Sequence, residues 1–244
     1  MVIKELLFTK ENGLKIVGRA FIPEKEGKFP TVIFSHGFNS SFIYFLHHGE
    51  GFVDNDIVCI FFDFIGGSVN PQSDGKMTDM TVLTEVDDLK FVISKVTEFD
   101  YVDKDKLFLQ GESMGGFVSS YVAAQMPDMI KALVLWYPAF VIPDDSKKRF
   151  EANDNTCFGL PISPEFDKVA KDIDIFDVIK GYKGPVKIIH GDKDDIVPIS
   201  YSERAIKEYD NASLIVMKDA GHGYMEEDSE NARKYSIEFI KQYI

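Results

Sequence analysis

A serine hydroxyl is a poor nucleophile unless a general base lies within hydrogen-bond reach, and that base works best when a carboxylate fixes its tautomer. Three stretches of this 244-residue chain supply such groups. The first is Gly111-Glu112-Ser113-Met114-Gly115. Small residues on both sides of a serine let a strand turn sharply into a helix and leave the hydroxyl exposed at the strand's end. The second is Asp219-Ala-Gly-His-Gly223. Among the five histidines, His36, His47, His48, His190 and His222, it is His222 in this glycine-flanked loop that is the expected base. The third is His190-Gly-Asp-Lys-Asp-Asp-Ile-Val-Pro198, which offers Asp192, Asp194 and Asp195. Spacing alone does not choose the orienting carboxylate among them, and Asp192 is equally suited to capping its own turn.

Acyl transfer also needs donors for the oxyanion of a tetrahedral intermediate. The expected pair is the backbone N–H of Phe38, within Ser35-His36-Gly37-Phe38-Asn39, and that of Met114, immediately after the serine. His36 and His190 are expected to brace their loops. His47 and His48 are expected on a helix with no chemical role. Gly66 and Gly67 permit a close turn and read as architectural.

These side chains need a scaffold that brings loop ends together. Two strands, about 3–9 and 14–22, are joined at Asn12-Gly13, a hairpin signal. Short apolar runs then recur at 31–35, 57–62, 106–110, 132–135, 186–189 and 213–217. Such runs are expected of strands buried on both faces, as in a parallel sheet. Between them, Val82, Val86, Leu89, Ile93 and Val96 form one helical face. Residues 114–125 suit a helix stopped by Pro127, and Ala232, Tyr235, Phe239, Ile240 and Tyr243 make a last apolar stripe. Alternating strands and helices predict an α/β architecture, a mostly parallel central sheet with helices on both faces. The Asp-, Lys- and Pro-rich stretch from Phe140 to Gly184 breaks the alternation. It is longer than the about 15 residues that structureless loops usually reach. It is read as a small inserted lid at about 139–184, with helices near 164–172 and 174–180, within a single domain of residues 1–244.

Composition narrows the partners. With 45% hydrophobic residues the chain can build a substantial core. A net charge of −13 matches neither a phosphate backbone nor an anionic lipid surface, so neither nucleic acid nor membrane is an expected partner. The first residues lack the apolar core and small-residue cleavage site of a secretory leader. Two cysteines, Cys59 and Cys157, do not make a disulfide framework. A cytoplasmic location is the expectation. No metal or organic cofactor is implied, the partner is a small-molecule ester, and a homodimer is compatible with the sequence.

Ser35-His-Gly-Phe38, Gly111-Glu-Ser-Met-Gly-Gly116, His190-Gly-Asp-Lys-Asp-Asp-Ile-Val-Pro198 and Gly221-His222 together resemble the α/β-hydrolase superfamily. Within it they look like the cinnamoyl/feruloyl esterases and the monoacylglycerol-lipase-like hydrolases, over essentially the whole chain and in the same Ser, Asp, His order. The resemblance implies that Asp194, the second aspartate of His-Gly-Asp-x-Asp-x-x-Val-Pro, orients His222. It implies that the insert shapes an acyl or aromatic pocket, with Asp144, Asp145 and Tyr182 as candidates for meeting a phenolic hydroxyl. Two features depart from the family. An Arg-Gly-x-Gly-x-Ser stretch is replaced by Ile65-Gly-Gly-Ser68, and Glu112 stands where many relatives have histidine. The implied activity is carboxylic-ester hydrolysis through an acyl-enzyme, on hydroxycinnamate or short acyl esters. A thioesterase, a serine aminopeptidase and a non-catalytic ligand-binding protein on the same scaffold are the rival readings.

Overall fold

A computed structural model describes the chain from Met1 to Ile244. The apolar runs become β1 (Val2–Thr9), β2 (Lys15–Ile22), β3 (Phe29–Ser35), β4 (Val58–Phe62), β5 (Val102–Glu112) and β6 (Ala132–Trp136). A two-residue pair, β7 (Thr156–Cys157) and β8 (Leu160–Pro161), precedes β9 (Val186–Gly191) and β10 (Ala212–Met217). The helices are α1 (Gly49–Val53), α2 (Val82–Val96), α3 (Ser113–Gln125), α4 (Ile142–Ala152), α5 (Pro164–Ala170), α6 (Ile175–Val178), α7 (Ser200–Glu208) and α8 (Glu226–Ile240). Eight strands form one sheet in the order β1-β2-β4-β3-β5-β6-β9-β10. The β1–β2 and β2–β4 pairs are antiparallel and all others parallel.

Every residue of β3, β4 and β6 is buried, because helices cover both faces of the sheet. Side chains alternate between the two faces. Ile33 and Leu109 join the core that α2 and α3 close, while Val32, Phe34 and Phe108 join the core that α1 and α8 close. The α2 face expected from periodicity is buried throughout. Its start is fixed by a capping box in which Thr84 N–H donates to Thr81 Oγ1 at 3.2 Å and Thr81 N–H to Thr84 Oγ1 at 2.9 Å. No helix is long and apolar enough to cross a membrane.

The stretch between β6 and β9 has its own structure: α4, the β7–β8 hairpin, α5 and α6. The hairpin turns on Phe158 (φ 51°) and Gly159 (φ 76°), the paired left-handed residues that a two-residue turn requires. Arg149 of α4 grips Asp167 of α5 with both Nε and Nη2, the shortest contact being 2.6 Å. Both groups are mostly sequestered from solvent, so removing the arginine strands a buried carboxylate. Arg149→Met is expected to cost about 3 kcal/mol of stability, read from urea unfolding at neutral pH. A loss under about 1 kcal/mol would mean that water already compensates Asp167.

Candidate active site

The turn from β5 into α3 is tight for a steric reason. A Cβ at Gly111 would lie 2.3 Å from Gly115 O, and one at Gly115 would lie 2.2 Å from Ser35 O. Glycine at both positions lets α3 start against β3 and β5 without clash. Ser113 is the first residue of α3 and has φ 47°, a left-handed conformation that a side-chain-bearing residue adopts only under constraint. Ala139 N–H donates to Ser113 O at 2.8 Å and helps to hold it there.

His222 lies in the loop between β10 and α8, at the same edge of the sheet. Its Nε2 is 3.0 Å from Ser113 Oγ and its Nδ1 is 2.8 Å from Asp194 Oδ2. An ionised carboxylate only accepts, so Nδ1 carries the proton and Nε2 is left to accept from the serine. Asp194 follows β9, and its loop is wound so that Oδ1 accepts from Val197 N–H at 2.8 Å and Ile196 N–H at 3.0 Å. Oδ2 also accepts from His190 Nε2 at 3.1 Å, while His190 Nδ1 accepts from Ser202 Oγ at 2.7 Å. Burial pushes the Asp194 carboxyl up. The hydrogen bonds from His190, His222 and Val197 N–H outweigh it and hold the group well below the usual carboxylate range. Of the three aspartates that spacing left open, Asp194 is the one that meets His222. Asp192 accepts from Asp219 N–H at 2.7 Å, tying the two loops together.

The loop after β3 reaches the same point. A Cβ at Gly37 would lie 3.1 Å from Ser113 Cβ. His36 is buried and makes two bonds: Nδ1–H donates to Gly37 O at 2.8 Å and Nε2 accepts from Phe64 N–H at 3.2 Å. Burial lowers its pKa, against the pull of Asp63 and the Gly37 bond. It stays neutral and braces the loop, as expected. Asn39 N–H donates to Gly67 O at 3.0 Å, and a Cβ at Gly67 would meet His36 Cε1 at 2.9 Å, so that glycine is needed for the two loops to pack. Phe38 N–H finds no acceptor within the chain. Met114 N–H belongs to the first turn of α3, where N–H groups lack intrahelical partners. Phe38 and Met114 share the lining of one cavity with Ser113.

A narrow, mostly apolar cavity opens beside the serine. It is walled by Phe38, Met114, Ala139, Ile142, Phe158 and Val197, with Asp145, Arg149 and Cys157 as its polar edge. The Phe38 and Phe158 rings in its lining are in contact, with centroids 6.1 Å apart and planes tilted by 51°. Of the residues proposed for a phenolic hydroxyl, only Asp145 lines this cavity. Asp144 instead accepts from Tyr201 O–H at 2.5 Å. Tyr182 is fully buried elsewhere and donates to Ile130 O at 3.0 Å, which corrects its expected place in the pocket. The α4 wall was missed by apolar patterning. Its signal was Pro143 with Asp144-Asp145 following and Arg149 in the last turn, the charge order that a helix dipole favours. His47 and His48 sit on the 3-10 turn leading into α1, away from the serine.

The family model described as serine aminopeptidase, S33 (Hydrolase_4) matches residues 28–161, more than half of the chain. Comparison with curated proteins gave no match. Among solved structures, Est1E from Butyrivibrio proteoclasticus with ferulic acid bound is 25% identical over 98% of each chain, with a TM-score of 0.84. Acetyl xylan esterase 1 from Thermoanaerobacterium is 22% identical over 97% of this chain and 83% of its own, with a TM-score of 0.72. A monoacylglycerol lipase from Paleococcus ferrophilus is 19% identical over the whole of both chains, with a TM-score of 0.72. The last two likenesses carry the fold alone.

Proposed function

The chain belongs to the serine aminopeptidase, S33 family of α/β-hydrolases, and from that premise we propose that it hydrolyses carboxylic esters through an acyl-enzyme on Ser113. Ser113 Oγ attacks the ester carbonyl carbon while its proton passes to His222 Nε2. The C=O electrons move onto oxygen, which Phe38 and Met114 N–H groups receive. Collapse of the intermediate expels the alcohol, protonated by His222, and leaves an acyl-serine. Water then attacks the acyl-serine in the same way, releasing the carboxylic acid and restoring Ser113. Asp194 keeps the imidazole in the accepting tautomer and stabilises its charged form. The observation that carries the reading is the continuous chain from Ser113 Oγ through His222 to Asp194, at 3.0 and 2.8 Å, beside an unpaired Phe38 N–H.

Esters are favoured over amides because an alcohol is the easier group to expel. The acyl group is a hydroxycinnamate: the narrow apolar cavity beside Ser113, with Phe38 and Phe158 in its lining and Asp145 and Arg149 at its edge, suits an aromatic acid bearing a hydroxyl. The ferulic acid held by Est1E supports the same class. Steady-state kinetics with an ester, a thioester and an anilide of ferulic acid, beside p-nitrophenyl butyrate, test both halves. Feruloyl ester turnover with the highest kcat/KM supports the proposal. Preference for the thioester or the anilide moves the chain to those classes, and preference for butyrate moves it to short acyl esters.

The slot itself makes a prediction. Ile142→Trp fills it and is expected to lower kcat/KM for methyl ferulate by about 10–100-fold, with p-nitrophenyl acetate held within about threefold. Equal losses on both substrates would take the acyl group out of this cavity.

A further inference from the structure

Glu112 precedes the nucleophile, is only 6% exposed, and has no step in the hydrolysis described above. Its two oxygens hold two separate pieces of the site. Oε1 accepts from Gly37 N–H at 2.9 Å, and Oε2 accepts from Tyr137 O–H at 2.6 Å. Gly37 is the residue before Phe38, so this bond fixes the peptide preceding the one that carries the Phe38 N–H, and His36 Nδ1–H, donating to Gly37 O at 2.8 Å, holds the next. Tyr137 directly follows β6 in a left-handed conformation, φ 35°, with its N–H tied to Ile189 O at 2.8 Å. Its ring lies 4.6 Å from the His222 ring and 4.6 Å from that of Tyr224.

A buried carboxylate is costly without donors, and an apolar side chain would fill the same space more cheaply. Here both donors come from elements that must stand in register with Ser113. A bulky residue at positive φ is strained, and the bond to Glu112 is one of the contacts that hold Tyr137 in that state. Burial pushes the Glu112 carboxyl up, while Tyr137, Gly37 N–H and His222 pull it back. The titratable groups around the pair are His222 and Tyr224 from the loop ahead of α8, with Asp194 on the other side of His222.

We propose that Glu112 is a positioning residue: one carboxylate sets the oxyanion loop through Gly37 and braces His222 through Tyr137. The proposal rests on the hydrolase reading above. Glutamate suits this role because its two oxygens accept from two separate donors at once.

The test compares wild type, Glu112→Gln and Tyr137→Phe by phosphonylation of Ser113 with a fluorophosphonate probe and by ester turnover per titrated site. Glutamine keeps the size but loses the charge and one of the two acceptors. Glu112→Gln is expected to label and turn over about 10–100-fold more slowly, with KM within about threefold. A fold-stabilising role alone would leave turnover per titrated site unchanged, and so would overturn the proposal. Should Glu112→Gln not fold, Tyr137→Phe decides. It keeps the Gly37 bond and is expected to slow labelling by about fivefold or more, whereas wild-type labelling would overturn the proposal. A wild type that never labels sinks the hydrolase reading itself, whereas a labelled wild type with equally fast variants sinks only the role of Glu112.

Discussion

Ser113→Ala is expected to lower kcat for ester hydrolysis by about 10⁵–10⁶-fold and to leave KM within about threefold. The variant loses the attacking oxygen and nothing else of the site. The Phe38 and Met114 donors and the apolar slot remain, so the substrate still binds and water attacks directly, with about 10³–10⁴-fold residual acceleration over solution. The fold should tolerate the change. Alanine at φ 47° is no more strained than serine, and the one lost side-chain hydrogen bond goes to His222, which reaches solvent. Thermal unfolding should therefore move by no more than about 2–4 °C. The measurement is turnover of p-nitrophenyl butyrate and methyl ferulate by both proteins. A variant keeping a tenth or more of wild-type kcat, with unchanged unfolding, would remove Ser113 from the chemistry.

The positions most legible in the sequence are those where backbone sterics and chemistry coincide. Gly111 and Gly115 had to be glycines for the β5–α3 turn, and the serine between them was therefore conspicuous. His222 was legible because glycines flank it. Asp194 was not separable by spacing, since Asp192, Asp194 and Asp195 lie within four residues. What selects it is loop winding, fixed by Ile196 and Val197 N–H groups that no side-chain pattern announces. The inner strands followed from continuous apolar runs, β1 and β2 from the Asn12-Gly13 turn, and α2 and α8 from their apolar stripes. The stretch after β6 was legible only as an insertion with two helices. α4 buries few residues along its length, so it has little apolar periodicity to read. Tyr182 was placed in the pocket because it lies in the insert, yet its ring is buried away from the cavity and its hydroxyl finds Ile130 O. Glu112 was visible as a departure from the family, but its two partners are 75 and 25 residues away, a juxtaposition that only the fold supplies.

Asp194→Asn should be nearly as damaging as loss of the nucleophile, with kcat reduced by about 10⁴-fold. The reason is a tautomer. Oδ1 of Asp194 faces the Val197 and Ile196 N–H groups, and Oδ2 receives both His222 and His190. An asparagine that keeps its oxygen toward the backbone donors must point its NH₂ at the two imidazoles. His222 then accepts at Nδ1, carries its proton on Nε2, and faces Ser113 as a donor that cannot take the serine's proton. The same substitution has a stability signature whose sign follows from the depressed pKa of Asp194. A carboxyl with a folded pKa below its unfolded value contributes stability above the unfolded value of about 3.9, and that contribution is lost as pH falls through the folded value. Wild type should therefore exceed the asparagine variant in urea stability at about pH 6–7, and the gap should close as pH drops below about 4. Measuring kcat and urea midpoints for Asp194→Asn beside Asp195→Asn separates the two aspartates. If Asp195→Asn carries the larger kcat loss, the orienting role passes to Asp195. If the urea gap stays constant with pH, the carboxylate of Asp194 is not held by its two histidines as the geometry requires.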